Sequence, residues 1–401
     1  MNPRPAGPTR RSDTIARTAY VATYPPRRCG IATFTHHLGA STGSREIVAL
    51  HPVDQVGPYP SEVHHRIRRD ELGDYVATAA ALTQCVDVAS IQHDYSIWGG
   101  PDGAHVVDFA RALRVPSVVT LHSVPRTPTT DQRAILLDLV GEAAATVVMS
   151  RAAATLLTTT YGVDARRVEV IPHGVPNVAL ADPETMKPGL GLQGRTVLLS
   201  FGLLGPGKGY ELALDALPEI AAADPTVLYV ILGETHPDEL AGAGEAYRAG
   251  LVEQVRRLKI GNHVQFVDRY VGRVELIRWL EAADVFITPY PDLDRVVSGT
   301  LSYAMGAGRA VVSTPYACAV EMLADERGII VPAGSPAALA AAVIDLLADP
   351  ERRREMGRRA HGYTRGMIWT TVAAEYTRLF EQVAGERARP VGAIPLAAFG
   401  A

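Results

Sequence analysis

The chain has 401 residues, of which 47% are hydrophobic and 20% charged, and its formal net charge is -4 at pH 7. This length is too great for one ordinary hydrophobic core and predicts two domains. The small net charge gives no electrostatic reason to expect a nucleic-acid partner, and three scattered cysteines without a zinc-binding spacing predict neither a metal site nor a disulfide framework.

The two ends of the chain are predicted to be loose. Residues 1–17 carry four arginines without an accompanying apolar face, so a disordered tail is preferred to a transit peptide. Residues 386–401 are rich in alanine, proline and glycine. No uncharged run is long enough to predict a membrane-spanning helix, and a reducing cytoplasm is the simplest expected location.

Short β-rich runs recur along the chain, with helical stretches between them. In the first half, strands are predicted at Ala19–Thr23, Glu46–Leu50, Val86–Gln92, Ser117–Leu121, Thr146–Met149 and Val168–Ile171. In the second half, strands are predicted at Val197–Phe201, Leu228–Leu232, Val264–Val267, Val285–Thr288, Ala310–Ser313 and Gly328–Val331. These runs are almost continuously apolar, as expected of parallel strands buried on both faces.

The alternation of strands and helices predicts an α/β fold of two doubly wound, Rossmann-like domains that face each other across a cleft. The predicted domains are residues 18–180 and 190–368, with a boundary in the proline- and glycine-rich stretch 173–196. Ligands of such sheets bind beyond the carboxyl ends of the strands. The residues that follow the predicted strands are therefore the candidates for function.

Three strand exits of the first domain carry candidate ligand-binding residues. Gly30, in YPPRRCGIATF, either lets a ligand approach a helix N-terminus that favours an anion or simply makes a tight turn. His93 and Asp94 follow the third strand, and His122 follows the fourth. A lone histidine is more often structural, but two at successive exits that face one cleft favour a functional role.

The first exit of the second domain favours an anionic ligand. Gly202 opens the glycine-rich loop GLLGPGKG, in which Lys208 adds a full positive charge beside backbone N–H groups that can point inward. The loop is not the phosphate loop GxxxxGK[ST] of ATPases, because Lys208 is followed by Gly209 and Tyr210 rather than by serine or threonine. A solvated loop lysine is the simpler alternative.

A helix in DRVVSGTLSYAMGAG is predicted to begin near Ser298 and to offer a second anion site. The first backbone N–H groups of a helix have no intrahelical partner, and here they belong to Ser298, Gly299, Thr300 and Leu301. Plain capping by the Ser298 hydroxyl is the alternative. Together with Lys208 of the same domain, these amides predict a site for a doubly charged diphosphate.

At this point the sequence resembles the retaining GT-B glycosyltransferases of family 4. The stretches that carry the resemblance are GLLGPGKG, DVFITPYPD, SGTLSYAMGAGRAVVSTPYACAVEML and WTTVAAEYTRLF. A mannosyltransferase-like branch of the family is indicated by YPPRRCGIATF, QHDYSIWGG, TLHSV, IPHGV and GETHP. The resemblance runs from about residue 18 to residue 386 and implies the two-domain GT-B fold.

The resemblance also implies roles for individual residues. Gly30 corresponds to the loop glycine near the donor diphosphate, and His122 to the histidine that hydrogen-bonds the transferred sugar and lines the reaction centre. Lys208 corresponds to the lysine on the donor phosphates, with residues 298–301 beneath them. A last helix at about 369–385 is expected to cross back onto the first domain. The remaining candidate contacts for the acceptor or the sugar are His93, Asp94 and His173.

The sequence departs from the family pattern at three positions. The family has two glutamates eight residues apart around the second-domain helix, and here Arg295 and Tyr303 take their places. A tyrosine can donate only one hydrogen bond to ribose hydroxyls. Leu203 replaces the family's arginine after the first strand of the second domain, so Arg295 or Arg269 is expected to supply the missing charge.

By resemblance, the protein transfers a hexose, with mannose favoured, from a nucleotide-sugar to a sugar, lipid or small-molecule acceptor, with retention of configuration. GDP-mannose is the favoured donor, and a UDP-sugar is the alternative. No cofactor or metal is expected, because Lys208 and the helix amides supply the positive charge that a leaving diphosphate needs.

Several other functions stay open. They are a sugar-nucleotide epimerase or a glycoside phosphorylase of the same fold, and a homologue that binds a nucleotide-sugar without catalysis. A nicotinamide enzyme is disfavoured, because GxGxxG does not follow the first strand. The basic stretch His64 to Asp70 is either a weak contact for an anionic membrane or a solvated helix face, and the second interpretation is preferred.

Overall fold

The computed structural model describes residues 16–44, 46–52 and 57–387. In this part of the chain, the first half forms a parallel sheet with the strand order β3-β2-β1-β4-β5-β6-β7. Its strands are β1 Thr18–Ala22, β2 Glu46–His51, β3 Val63–Arg68, β4 Val88–His93, β5 Ser117–Leu121, β6 Ala145–Val148 and β7 Val168–Val170.

The second half forms another parallel sheet, with the order β10-β9-β8-β11-β12-β13. Its strands are β8 Thr196–Phe201, β9 Val227–Leu232, β10 Val264–Val267, β11 Val285–Thr288, β12 Ala310–Ser313 and β13 Ile329–Ile330. The prediction of an α/β fold with two parallel sheets is thereby confirmed.

Helices connect the strands of both sheets. In the first half they are α1 Gly30–Thr42, α2 Leu72–Cys85, α3 His105–Ala112, α4 Thr130–Glu142 and α5 Arg151–Thr159. In the rest of the chain they are α6 Pro183–Met186, α7 Tyr210–Ala223, α8 Pro237–Ala243, α9 Ala246–Leu258, α10 Arg273–Ala282, α11 Gly299–Gly306, α12 Ala317–Met322, α13 Pro336–Ala348, α14 Pro350–Thr364 and α15 Trp369–Arg387.

Each sheet is buried on both faces because its strands are apolar at successive positions. In β1, Ala19 and Val21 belong to one core cluster, while Tyr20 between them belongs to another. In β8, Leu199 and Leu198 face different cores in the same way. Since side chains alternate between the two faces of a strand, an uninterrupted apolar run requires helices on both sides.

The last helix, α15, packs on the first sheet. The Tyr376 hydroxyl is 3.1 Å from Thr120 Oγ1 of β5, and the Phe380 ring meets the Tyr20 ring edge-on at 6.0 Å. The two segments that cross between the halves are bonded to each other, because the Val175 N–H donates to the Met367 carbonyl at 2.8 Å. The last described helix therefore packs on the sheet that the first half of the chain forms.

The structure corrects the interpretation of residues 64–70 as a helix face. Val63–Arg68 is β3, an edge strand that pairs in parallel with β2. Its polar residues alternate with partly buried Val63 and His65 and buried Ile67, which is the pattern of a strand with one solvated face. The charged residues of this stretch concealed its alternation of buried and exposed positions.

The predicted tails fall largely outside the described residues, since the structure leaves out 1–15 and 388–401. Of the predicted first tail, Arg17 is held by Asp87, with 3.0 Å between the guanidinium and the carboxylate. At the other end, α15 continues to Arg387 and includes Glu386, which was predicted to be loose. Within the described residues no helix is long and apolar enough to span a bilayer.

Candidate functional site

A cavity of about 400 Å³ lies between the two sheets, at the carboxyl ends of their strands. In each sheet the strand order reverses at one point, between β1 and β4 in the first and between β8 and β11 in the second. Such switch points are where open α/β sheets bind ligands. The predicted site residues that line this cavity are Gly30, Asp94, His122, His173, Gly202, Lys208, Arg295, Ser298, Gly299, Thr300 and Tyr303.

Two predicted residues do not line the cavity. His93 is fully buried at the end of β4, and neither ring nitrogen has a hydrogen-bond partner among the described residues. Leu301 is buried in the core of the second half, and its N–H donates to the Ser298 hydroxyl at 3.3 Å. His93 still belongs to β4 and its ring is enclosed by the protein, and Leu301 already faces the core.

The N-terminus of α11 opens into the cavity. Ser298 has an extended backbone and caps the helix, and the Ser302 N–H donates to the Ser298 carbonyl at 3.0 Å. With the Leu301 amide used by the cap, the amides of Gly299 and Thr300 are the ones placed to meet an anion.

Gly299 could not be another residue without movement of its neighbours. A Cβ at this position would lie 2.8 Å from Nε2 of His173, a distance that real contacts do not reach. The imidazole therefore packs directly against the first turn of α11. The glycine in Ser-Gly-Thr serves this close approach as well as the helix start.

Two cations converge on one tyrosine beside this helix. Lys208 Nζ lies 5.1 Å from the centre of the Tyr290 ring, and Arg295 Cζ lies 4.8 Å from it. The Tyr290 hydroxyl is 2.8 Å from Thr300 Oγ1 in the first turn of α11. Burial alone would raise the pKa of Tyr290, but the charges of Lys208 and Arg295, together with hydrogen bonds to Thr300 and Thr288, lower it below its ordinary value. This wall of the cavity is strongly positive.

The position of Lys208 depends on the glycine that follows it. Gly209 has a φ of 71°, and a Cβ there would lie 2.0 Å from the Pro289 carbonyl oxygen. The backbone therefore passes directly over the end of β11 and presents Lys208 to the cavity. Arg269, the other candidate for the missing charge, is bound by Glu275 and does not line the cavity.

Histidines and aromatic rings of the first half form the other wall, which meets the positive wall where His173 packs against α11. His122 donates from Nε2 to the Gln92 side-chain oxygen at 2.9 Å, and His173 donates from Nδ1 to the Gly174 carbonyl at 2.8 Å. The Phe34 ring meets both imidazoles edge-on, at 5.0 and 5.2 Å. Burial lowers the pKa of His122 to about 3 and that of His173 to about 4, so both rings are neutral at pH 7.

Asp94 adds a carboxylate to this wall. It accepts hydrogen bonds from the Ser96 N–H at 3.0 Å and the Ser96 hydroxyl at 2.6 Å. Burial alone would raise the pKa of Asp94, but these hydrogen bonds, with a smaller contribution from His93, lower it below its ordinary value. Asp94 is thus an ionised acceptor at the edge of the cavity.

Tyr303 joins the two halves of the molecule. Its hydroxyl lies 3.1 Å from Nδ1 of His37 in α1 and accepts from Nε1 of Trp369 at 3.3 Å. Burial raises the pKa of Tyr303 to about 12. With its oxygen engaged on both sides, this tyrosine holds α11 against α1 and α15.

Ion pairs across the mouth of the cavity were not found by sequence reasoning. Arg28 lies 2.5 Å from Glu234 and Arg27 lies 2.9 Å from Asp238, and in each case the arginine follows β1 while the acid follows β9. Charges at strand exits were the available signal. Nothing in the sequence, however, says which exit of one sheet lies opposite which exit of the other.

Two family models match the chain in succession. Residues 35–177 match the model described as Glycosyltransferase Family 4, and residues 182–362 match the model described as Glycosyl transferases group 1. The two matches meet in the segment between β7 and β8 and together span both sheets.

The chain belongs to the family 4 GT-B glycosyltransferases.

Curated relatives of this family 4 glycosyltransferase agree with the assignment. A phosphatidyl-myo-inositol mannosyltransferase of Mycolicibacterium smegmatis is 32% identical over 217 residues, which are 54% of this chain and 52% of the relative. A D-inositol 3-phosphate glycosyltransferase of Segniliparus rotundus is 26% identical over 347 residues, 81% of this chain and 73% of the relative. The chain spans about half the length of the mannosyltransferase that it matches.

Solved structures share the fold of this family 4 glycosyltransferase. Sucrose-phosphate synthase from Thermosynechococcus elongatus superposes with a TM-score of 0.75 at 17% identity, covering 92% of this chain and 99% of that chain. HepE from Anabaena, in complex with UDP-glucose, superposes with a TM-score of 0.73 at 16% identity, covering 91% and 99%. At this identity the likeness concerns the fold alone.

Proposed function

We propose that the protein is a retaining glycosyltransferase that moves a hexose, with mannose favoured, from a nucleotide-sugar to an unidentified acceptor without a metal. The observation that carries the proposal is the convergence of Lys208, Arg295 and the α11 N-terminus on one side of the cavity. This is the arrangement of positive charge that a diphosphate requires. The mannosyltransferase relatives and the UDP-glucose bound to HepE support the substrate class.

The positive wall acts on the leaving group. In the reaction, the bond between the anomeric carbon and the diphosphate oxygen breaks while a bond to the acceptor oxygen forms. Negative charge therefore grows on the diphosphate, and donors that are already oriented toward it stabilise this charge without having to reorganise. The acceptor's proton passes to the departing phosphate oxygen, on the same face of the sugar.

The other wall acts on the sugar. Because His122 donates from Nε2 to Gln92, its Nδ1 is an acceptor for a sugar hydroxyl, and the low pKa of His122 keeps it so through the physiological range. Asp94 is a second acceptor. A neutral imidazole orients the sugar without repelling the positive charge that develops on its ring, whereas an imidazolium would oppose it.

A same-face mechanism fits the carboxylates of the cavity better than double displacement does. Among the described lining residues, Glu234 and Asp238 pair with arginines at the mouth, and Asp94 is held by Ser96. Retaining enzymes that use a covalent intermediate need two carboxyl groups flanking the bond that breaks. This cavity offers one at most.

The test begins with donor binding. The melting temperature is measured with GDP-, UDP- and ADP-sugars in the presence and absence of EDTA, since a bound ligand raises it by mass action. We expect a shift with one nucleotide class that persists in EDTA. The donor found in this way is then incubated with an acceptor panel, and NMR of the product reports the anomeric configuration. An inverted product would refute the retaining mechanism, and loss of donor binding in EDTA would refute the metal-free site.

A second candidate is a homologue that binds a nucleotide-sugar without transferring it. The observation that favours it is Tyr303, which replaces a family glutamate and whose hydroxyl is engaged by His37 and Trp369. Donor binding with neither hydrolysis nor transfer would support this candidate. The same assays separate the other GT-B activities, because an epimerase converts the donor without an acceptor and a phosphorylase consumes free phosphate.

A further inference from the structure

Three side chains of metal-binding type meet on the first sheet, at the end opposite the cavity. Glu46 begins β2, His65 lies in β3, and Cys85 ends α2. Their potential ligand atoms, one oxygen, one nitrogen and one sulfur, all lie within 4.8 Å of one another. Among the described residues this is the one group of three such side chains so arranged, and it was invisible in the sequence because 39 positions separate its first and last members.

A β-bulge creates the arrangement. Ile47 of β2 pairs with Val63 of β3, but the next residue, Val48, pairs with His65, so His64 is an extra residue in β3. In a regular strand, neighbouring side chains point to opposite faces. The bulge re-aims them, and as a result both His64 and His65 reach the carboxylate of Glu46.

The distances from the Glu46 carboxylate to His64 and His65 distinguish a hydrogen bond from a pair of candidate metal ligands. His64 Nδ1 lies 3.0 Å from one oxygen of Glu46, which is a hydrogen bond. His65 Nε2 lies 3.6 Å from the other oxygen, which is too long for one. Two ligands about 2.0 to 2.3 Å from a tetrahedral zinc ion stand roughly 3.5 Å apart. The spacing of Glu46 and His65 therefore suits a shared cation without further movement of either side chain.

We propose that Glu46, His65 and Cys85 form a Zn²⁺ site, with a water molecule as the fourth ligand and His64 orienting the carboxylate from behind. Zinc takes sulfur, nitrogen and oxygen ligands together, whereas magnesium and calcium prefer oxygen alone. A carboxylate and a thiolate balance the charge of the ion. The hydrogen bond from His64 is the kind of outer contact that fixes a ligating carboxylate in metal sites.

The site stands apart from the cavity and takes no part in the proposed transfer. It lies at the amino ends of β2 and β3, whereas the cavity lies at the carboxyl ends of the strands. The metal ties β2, the edge strand β3 and the end of α2 together, and so stabilises an edge that hydrogen bonds hold on one side only. The proposal is independent of the proposed glycosyl transfer.

The experiment uses tag-free protein that has been stripped with EDTA and desalted. Co²⁺ is titrated as a spectroscopic probe, because a cobalt–thiolate bond gives a charge-transfer band in the near ultraviolet, and Zn²⁺ is then added with a chromophoric chelator as competitor. We expect one equivalent of Co²⁺ with the thiolate band, displacement by one equivalent of Zn²⁺, and a higher melting temperature with Zn²⁺ but not with Mg²⁺.

Variants assign the ligands. Cys85→Ser removes the thiolate band, while Cys29→Ser and Cys318→Ser are matched controls that retain it. His65→Gln, on the edge strand, lowers Zn²⁺ affinity at least tenfold, and His64→Ala lowers it about tenfold to a hundredfold as an outer contact. Circular dichroism verifies that each variant is folded, and if Cys85→Ser does not fold, His65→Gln carries the test. The absence of a cobalt–thiolate band, or Zn²⁺ affinity unchanged in His65→Gln, overturns the proposal.

Discussion

The two walls of the cavity differ in charge although both are built from strand exits. The wall from the second half presents Lys208, Arg295 and the N-terminus of α11. The wall from the first half presents imidazoles that burial keeps neutral, those of His122 and His173. Under the proposed function, this division assigns each wall a part of the substrate: the wall from the second half stabilises a leaving anion, and the wall from the first half orients an uncharged sugar.

The comparison also explains how one fold accommodates a departure from its family. By the resemblance, Leu203 stands where the family has an arginine and Arg295 where it has a glutamate, and both residues line the wall from the second half. The stacking of Arg295 on Tyr290, beside Lys208, places a guanidinium in the region where positive charge is needed. We therefore propose that Arg295 supplies the charge that the resemblance leads one to expect at position 203.

The largest effect is expected from Lys208→Ala, which removes one of the two cationic side chains, Lys208 and Arg295, from the positive wall. Loss of one preorganised donor from a leaving-group site costs about 3 kcal/mol, or roughly two orders of magnitude in rate. We expect kcat/KM for a verified donor to fall by that amount while the melting temperature without ligand is unchanged. Lys259→Asn is the matched control, because Lys259 lies at the end of α9, does not line the cavity and has the left-handed backbone that asparagine tolerates. Equal turnover by Lys208→Ala and Lys259→Asn would contradict the comparison of the walls.

A smaller effect is expected from Arg295→Ala. A charged hydrogen bond contributes about 2 kcal/mol, or roughly thirtyfold in rate. Arg269→Ala is the control, since Arg269 pairs with Glu275 outside the cavity. Steady-state kinetics of the two variants decide which arginine compensates for Leu203. A lower rate in Arg269→Ala with an unchanged rate in Arg295→Ala would indicate that Arg269, and not Arg295, supplies the compensating charge.

The fold was predictable because its signal is local. An apolar run bounded by turn residues identifies a buried parallel strand, and the observed bounds of β5, β10, β11 and β12 agree with those predicted from the sequence. The edge strand β3 was missed for the corresponding reason: with one face in solvent, Val63–Arg68 carries charges that hide its alternation. Burial on two faces leaves a clearer pattern in the sequence than burial on one.

The candidate site was predictable in its membership but not in its contacts. Because parallel strands end at one edge, residues as distant as Gly30 and Ser298 were expected to meet, and both line the cavity. The partners of Tyr303 could not be predicted, since they depend on how α1 and α15 pack against α11. The same limit applies to Glu46, His65 and Cys85, which a single bulged residue brings together.

Tyr303→Phe tests whether the Tyr303 hydroxyl binds the donor or holds the two halves of the molecule together. Removal of its hydroxyl leaves Nε1 of Trp369 and Nδ1 of His37 without their partner. The free energy of unfolding, measured by denaturant titration, should therefore be about 1 kcal/mol lower. Tyr363→Phe is the control, because the Tyr363 ring is partly exposed and contacts Arg327 through its face. Donor affinity from calorimetry should be unchanged in Tyr303→Phe. Weaker binding of the nucleotide-sugar with unchanged stability would instead indicate that the Tyr303 hydroxyl contacts the donor's ribose.

The smallest effect concerns the neutral imidazoles and the pH dependence of stability. Burial lowers the pKa of His93 to about 4 in the folded protein, whereas an unfolded histidine has a pKa near 6.5. Between these values the unfolded chain binds a proton that the folded chain does not, so the free energy of unfolding falls as the pH falls from about 6.5 to 4. The pKa values of His37 and His173 are lowered to about 4 by burial as well, and these residues act in the same direction.

The contribution of His93 can be isolated with His93→Asn. From pH 7.5 to pH 5.5 each such histidine lowers the free energy of unfolding by about 1 kcal/mol. Denaturant titrations of the wild type and the variant at both pH values should therefore show a difference between the two pH values that is about 1 kcal/mol smaller in His93→Asn, whatever its absolute stability. Equal m-values would show that the same surface is exposed on unfolding. If the pH difference is the same in both proteins, His93 takes up a proton while folded, and burial does not keep its imidazole neutral.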